Sequence, residues 1–165
     1  MQLGVAICHP TDGWIEVNDR ALKMFGRTFE ELKATSWMEL THPEDLEADV
    51  VQNQRMLDGE IDRYTMDKRF ISKDGSIVYT NLGISCTRDN KGEVEMVLAS
   101  YVDITERVIA QHERDEAFEV ITSSIRYASR IQRAVLPPMD LLQEATTDFF
   151  ILWKPRDVVG GDIYW

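Results

Sequence analysis

The sequence predicts an α+β fold: one antiparallel sheet of five strands with short helices on one face, followed by a long C-terminal helix. Three observations predict it. Strand-like runs come in a group of two and a group of three, bounded by glycine-containing turns such as Asp12-Gly13, Lys73-Asp74-Gly75 and Asp89-Asn90-Lys91-Gly92. Between the two groups lie short segments that carry helix-capping residues and lack alternation. From Ile104 onward apolar residues fall at helical spacing, and no strong helix breaker comes before Pro137.

The elements follow in order. Leu3 to Cys8 is apolar and strand-like, His9 to Gly13 forms the turn, and Trp14 to Val17 is the partner strand. Asn18 or Asp19 caps a short helix carrying Ala21, Leu22 and Phe25, which Gly26 ends. Thr28-Phe29-Glu30-Glu31 has the spacing of a capping box, with Leu32 facing inward. Thr41-His42-Pro43-Glu44-Asp45 starts a third helix, because proline and acids suit a first helical turn. That helix runs to about Leu57 and stops at Asp58-Gly59. Arg63 to Ser72, Ser76 to Thr87 and Val94 to Val102 are the remaining strands. A hairpin, a helical excursion and a three-stranded meander make one sheet.

The long helix begins at Ile104. Phe118 and Ile125 occupy one heptad position; Ile121, Ala128 and Val135 occupy its partner, while the polar run Gln111 to Glu116 interrupts the stripe. Its second half therefore carries a seam suited to a parallel dimer. Pro137-Pro138 ends it, Phe149 to Trp153 reads as a strand, and a final strand starts at Ile163.

Composition narrows the function. The 165 residues are 44% hydrophobic and carry 29 acids against 18 bases, a net charge of −11. Residues 1–103 hold 19 acids and 11 bases; residues 104–165 hold 10 and 7. Neither half offers the basic footprint that nucleic acid or an anionic membrane requires. Cys8 and Cys86 sit in apolar strand-like runs and make no disulfide framework or metal spacing, so both are expected to be reduced. No charged-then-apolar leader opens the chain, and no apolar stretch approaches the ~20 residues of a spanning helix. A cytoplasmic location is expected.

From Gly13-Trp14-Ile15-Glu16-Val17-Asn18 onward the chain resembles a PAS sensor domain. The likeness continues in order through Phe25-Gly26, Glu30-Glu31-Leu32, His42-Pro43-Glu44-Asp45, Gly59, Lys73-Asp74-Gly75-Ser76 and Asp103-Ile104-Thr105-Glu106-Arg107. It covers roughly residues 3–107. The resemblance implies a sheet cupped by helices that holds a small ligand or forms a dimer surface, and it makes Asp103 to Arg107 the junction where a change in the sheet becomes a change in the helix. Asp103 suits an N-cap there, with Glu106 completing an acidic variant of the capping box.

A second resemblance follows. Ser124 to Pro138, Phe150 to Trp153 and Pro155-Arg156-Asp157-Val158-Val159-Gly160-Gly161-Asp162-Ile163-Tyr164-Trp165 are similar to the lead-in of SpoIIE-type metal-dependent serine phosphatases of the PPM family. It implies that Asp162 is one carboxylate ligand of a site for two manganese or magnesium ions, and that the substrate of an intact enzyme is a phosphoserine on a small regulator protein. Hard divalent ions need several carboxylate oxygens. One aspartate cannot build such a site, so these 165 residues are expected to lack phosphatase activity. The domains expected are a PAS sensor over 1–107, a connector helix over 108–136, and the leading edge of a phosphatase domain over 137–165.

Other candidates are weighed against plainer roles. Trp14, Met24, Trp37, Met38 and Met56 could line a cavity or simply fill the core. His42 invites comparison with haem-holding histidines, but a capping role suits its place before Pro43. Residues 26–33 contain no cysteine, so covalent flavin photochemistry is not expected; non-covalent flavin or another small ligand stays open. His112 lacks the surroundings of a phosphorylated histidine and reads as solvent-facing. Arg126, Arg130 and Arg133 form a basic stripe that either pairs with acids or faces solvent. The functional readings are a sensor module controlling an attached phosphatase, the phosphatase itself, and a ligand-free module that dimerises through its PAS domain and connector helix.

Overall fold

Turn chemistry sets the first hairpin. Gly13 takes φ 77°, a backbone state that costs glycine little, and closes strand β1 (Gly4–His9) onto β2 (Gly13–Val17). The computed structural model of the protein describes residues 3–135 and 158–159. Two units are distinguished along the chain, Met1–Ile109 and Ala110–Trp165.

Asn18 performs two tasks at once. Its Oδ1 accepts from Ala21 N (3.0 Å), capping helix α1 (Asp19–Phe25), and also from Val5 N (3.0 Å), which ties that cap to β1. Helix α2 (Phe29–Lys33) opens with the full capping box: Glu31 N donates to Thr28 Oγ1, and Thr28 N to Glu31 Oε2. Helix α4 (Pro43–Leu57) begins with His42 as its cap and has proline in its first turn. Between them lies helix α3 (Trp37–Leu40), which the sequence reading left out. Four residues are too few for a periodicity to show; only Ser36, whose hydroxyl accepts from Met38 N, marks its start.

Strands β3 (Arg63–Ile71), β4 (Ile77–Arg88) and β5 (Val94–Asp103) complete a sheet of order β2-β1-β5-β4-β3, antiparallel throughout. Ser72 and Ser76 fall in the β3–β4 turn rather than in its strands, because Lys73 N turns away to donate to Phe25 O. The last of the sheet's strands in sequence is thus the central one in space. The core lies between the sheet and the short helices. Phe25, Phe70 and Tyr101 meet edge to face, with ring centroids 5.1, 5.2 and 5.7 Å apart. Leu32, Leu40 and Leu82 are buried around them. Each such side chain contributes roughly 1.5–3 kcal/mol by burial, and each ring pair about 0.5–1.5 kcal/mol more.

Helix α5 (Thr105–Val135) follows β5 after one intervening residue, Ile104, whose N–H still donates to Tyr79 O. The helix therefore begins one residue later than the sequence suggested. Asp103 remains in β5 opposite Thr80, and its Oδ1 caps Thr105 N at 3.0 Å. Glu106 completes no capping box among the described residues, because Asp103 belongs to the strand and the cap reaches only two residues on. The seam residues Phe118, Ile121, Ile125, Ala128 and Val135 are all exposed on α5. The expected strands at Phe149 to Trp153 and at Ile163 lie outside the described residues.

Candidate ligand cavity and signal junction

Alternation on a strand places every second side chain on one face. On β5 this turns Val97, Ala99 and Tyr101 inward, and on β4 Leu82 and Ile84; all five line a cavity of about 530 Å³. Phe70, Lys68 and Tyr64 reach it from β3, Asp49, Asn53 and Leu57 from α4, and Cys8 from β1. Of the five aromatic and methionine candidates, Trp14, Trp37 and Met38 line this space. Met56 does not: it is a fully buried residue of the last turn of α4, and its carbonyl accepts from the Arg88 guanidinium at 2.8 Å. Met24 instead borders a second, open depression that Arg20 and Asp103 also line.

The cavity wall holds a buried ion pair that the sequence reading missed. Lys68 Nζ donates to Asp49 Oδ2 and, at 2.8 Å, to Thr41 Oγ1. Tyr64 Oη donates to Asp49 Oδ1 at 2.9 Å. The side chains of Lys68 and Asp49 are 1% and 2% exposed. Burial lowers the Lys68 pKa, and the Asp49 carboxylate opposes that shift. Burial raises the Tyr64 hydroxyl far above its ordinary value, with the Asp49 charge adding to the rise. The Cys8 thiol is pushed up to about 11 by burial, so it stays protonated and poorly nucleophilic. A signal existed: Lys68 alternates with Tyr64, Met66 and Phe70 on the inward face of β3, where a lysine needs a buried acid to be tolerated.

The junction is tied to the same sheet. Thr105 Oγ1 accepts from Tyr79 N at 3.1 Å, so the first turn of α5 is hydrogen-bonded to β4. The Arg20 guanidinium of α1 lies 3.5 Å from the Asp103 carboxylate, and Arg107 lies 3.8 Å from Asp67 of β3. Ile104 is buried. Asp103 to Arg107 is therefore touched by α1, β3 and β4.

The remaining candidates have plainer places. His42 Nδ1 accepts from Glu44 N at 3.3 Å and does not line the cavity. His112 is exposed beside Glu116. Arg126, Arg130 and Arg133 are exposed on α5. Asp162 lies outside the described residues. Among the described residues no helix is long and apolar enough to cross a membrane.

Comparison with known proteins agrees with this architecture. The family profile described as "PAS fold" matches residues 14–101, and the chain belongs to that family. The described fold is a PAS sensor domain followed by a long helix. The probable diguanylate cyclase DgcE of Escherichia coli (strain K12) is 30% identical over 120 residues, which is 73% of this chain and 11% of that protein. The N-terminal domain of a diguanylate cyclase with PAS/PAC sensor from Marinobacter aquaeolei superposes with a TM-score of 0.57 at 21% identity, covering 64% of this chain and 98% of that one. A sensory box histidine kinase/response regulator from Burkholderia thailandensis superposes with a TM-score of 0.59 at 18% identity, covering 73% and 91%. At these identities the two structures share the fold alone. None of the three is named a phosphatase.

Proposed function

We propose that the chain is the sensory front of a signalling protein: a small molecule enters the cavity, and the adjustment of β5 passes through Asp103 to Arg107 into α5 and on to an output domain. One observation carries the reading. Tyr101, Ala99 and Val97 line the cavity on the strand that becomes the junction at Asp103, so an occupant pressing on β5 presses on the root of the helix. A cavity-filling substitution tests it. Val97→Phe should change amide hydrogen exchange across residues 105–112, while an outward-facing change on the same strand, Met96→Gln, should not. Equal exchange in both variants and the parent chain defeats the relay.

The output domain has two readings. The residues from Ser124 to Trp165 favour a SpoIIE-type phosphatase that acts on a phosphoserine of a regulator protein, with Asp162 among its metal ligands. The Escherichia coli relative is named a diguanylate cyclase, and this favours a cyclase, though the likeness spans 11% of that protein. Purified parent protein separates them: manganese-dependent release of phosphate from phosphoserine supports the first, and conversion of GTP to a cyclic dinucleotide supports the second. A cytoplasmic location and a homodimer joined through the PAS domain and α5 complete the proposal.

A further inference from the structure

The polar groups of the cavity wall differ in what they leave open. Lys68 and Asp49 are closed on each other. Lys68 donates to Asp49 and Thr41, and its ammonium lies 4.2 Å from the centre of the Phe70 ring and 5.3 Å from that of Trp37. Asp49 accepts on both oxygens, from Lys68 and Tyr64. One cation and one anion cancel, and the other lysine and acids at the lining are exposed to solvent.

Tyr101 is the opposite case. It is 3% exposed and lines the cavity; its hydroxyl makes no side-chain hydrogen bond to a described residue and is not among the fully buried atoms left unpaired, which are Arg20 Nε and Arg27 Nε, so it opens to the cavity. A hydroxyl that opens to a cavity takes water as its partner, and a ligand oxygen can displace that water. Burial, and then the neighbouring acidic groups Cys8, Asp49 and Tyr64, of which Asp49 carries the charge, raise the hydroxyl well above the ordinary phenol range. It therefore stands as an O–H donor at every physiological pH.

We propose that the cavity takes an uncharged, ring-bearing molecule whose carbonyl-type oxygen accepts a hydrogen bond from Tyr101. The inference rests on the sensor reading above. Leu82, Ile84, Val97 and Ala99 supply an apolar floor, and Trp37 and Phe70 supply aromatic walls. An anion would meet Asp49 with Lys68 already engaged, and a cation would meet Lys68 with Asp49 already engaged. Either ion would lose its water without gaining a free counter-charge. An uncharged body loses little water and gains the Tyr101 donor.

Four probes on one naphthalene ring test the inference by calorimetry, with the tryptophan indole N–H resonances reporting the place of binding. They are 2-acetylnaphthalene (uncharged acceptor), 2-ethylnaphthalene (same shape, no acceptor), 2-naphthoate (anion) and 2-naphthylmethylammonium (cation). The ketone should bind roughly tenfold or more tighter than either ion. Tyr101→Phe, which removes a hydroxyl with no side-chain partner among the described residues, should keep the urea midpoint while weakening the ketone roughly tenfold and leaving the ethyl compound unchanged. An ion that binds as tightly as the ketone, or a variant that weakens both uncharged probes equally, overturns the ligand class and leaves the cavity reading standing. Failure of all four probes to bind overturns both.

Discussion

Lys68 is an inward lysine on a strand whose other inward residues are aromatic or apolar, and Asp49 makes it tolerable. Removing one partner strands the other charge in the interior. Asp49→Asn should cost about 3–5 kcal/mol in urea unfolding. Lys68→Met combined with Asp49→Leu should recover much of that loss, since neither desolvated charge remains. Additive losses in the double variant would mean that the pair is not the coupled unit the geometry shows. A different carboxylate governs the acid side. Arg69 donates to both oxygens of Asp45, through Nε at 3.0 Å and Nη2 at 2.7 Å, and its backbone N–H adds a third bond at 2.8 Å. Those bonds hold the Asp45 carboxyl below its usual range. Because the folded value lies below the unfolded value of about 3.9, the stabilisation is present above that pH and is lost as pH falls through the folded value. Asp45→Asn should flatten part of the acid limb of a plot of urea midpoint against pH. Glu31, Asp74 and Asp115, whose carboxyls are also lowered, keep the rest of that slope.

At the scale of elements, short-range chemistry was easy to read and long-range pairing was not. The Thr28 capping box, the Gly26 stop and the His42-Pro43 start are each written within five residues, and each was legible. Helix α3 was missed because one turn has no period. The Lys68–Asp49 pair was missed because its partners are 19 positions apart on different elements. Trp14, Trp37 and Met38 were legible as cavity candidates, whereas Met24 and Met56 were equally apolar and face elsewhere; composition does not tell a wall from a filler. Gly26 supplies a test of the local argument. It has φ 63°, and an added Cβ would lie 2.7 Å from Ser72 Oγ, so Gly26→Ala should cost about 1–2 kcal/mol and loosen the α1 end. The proposed seam on α5 gives another. Ile121→Asp or Ile125→Asp should lower the dimer fraction in light scattering, because each would bury a carboxylate against its own copy. An unchanged mass would place the contact elsewhere.

For the whole molecule, the strand order has a consequence in time. Of this sheet's five strands β5 is made last, yet it lies between β1 and β4, so the N-terminal hairpin cannot find its neighbour until residue 103 has left the ribosome. Until then two half-sheets coexist, β1 with β2 and β3 with β4, each with a row of unpaired amides facing the gap. Non-local closure of this kind slows folding relative to a simple meander. A nascent chain stalled before Val94 should remain protease-sensitive, and one released beyond Asp103 should become resistant in a single step. Synthesis thus delivers the keystone strand of this sheet last, and α5 follows directly behind it.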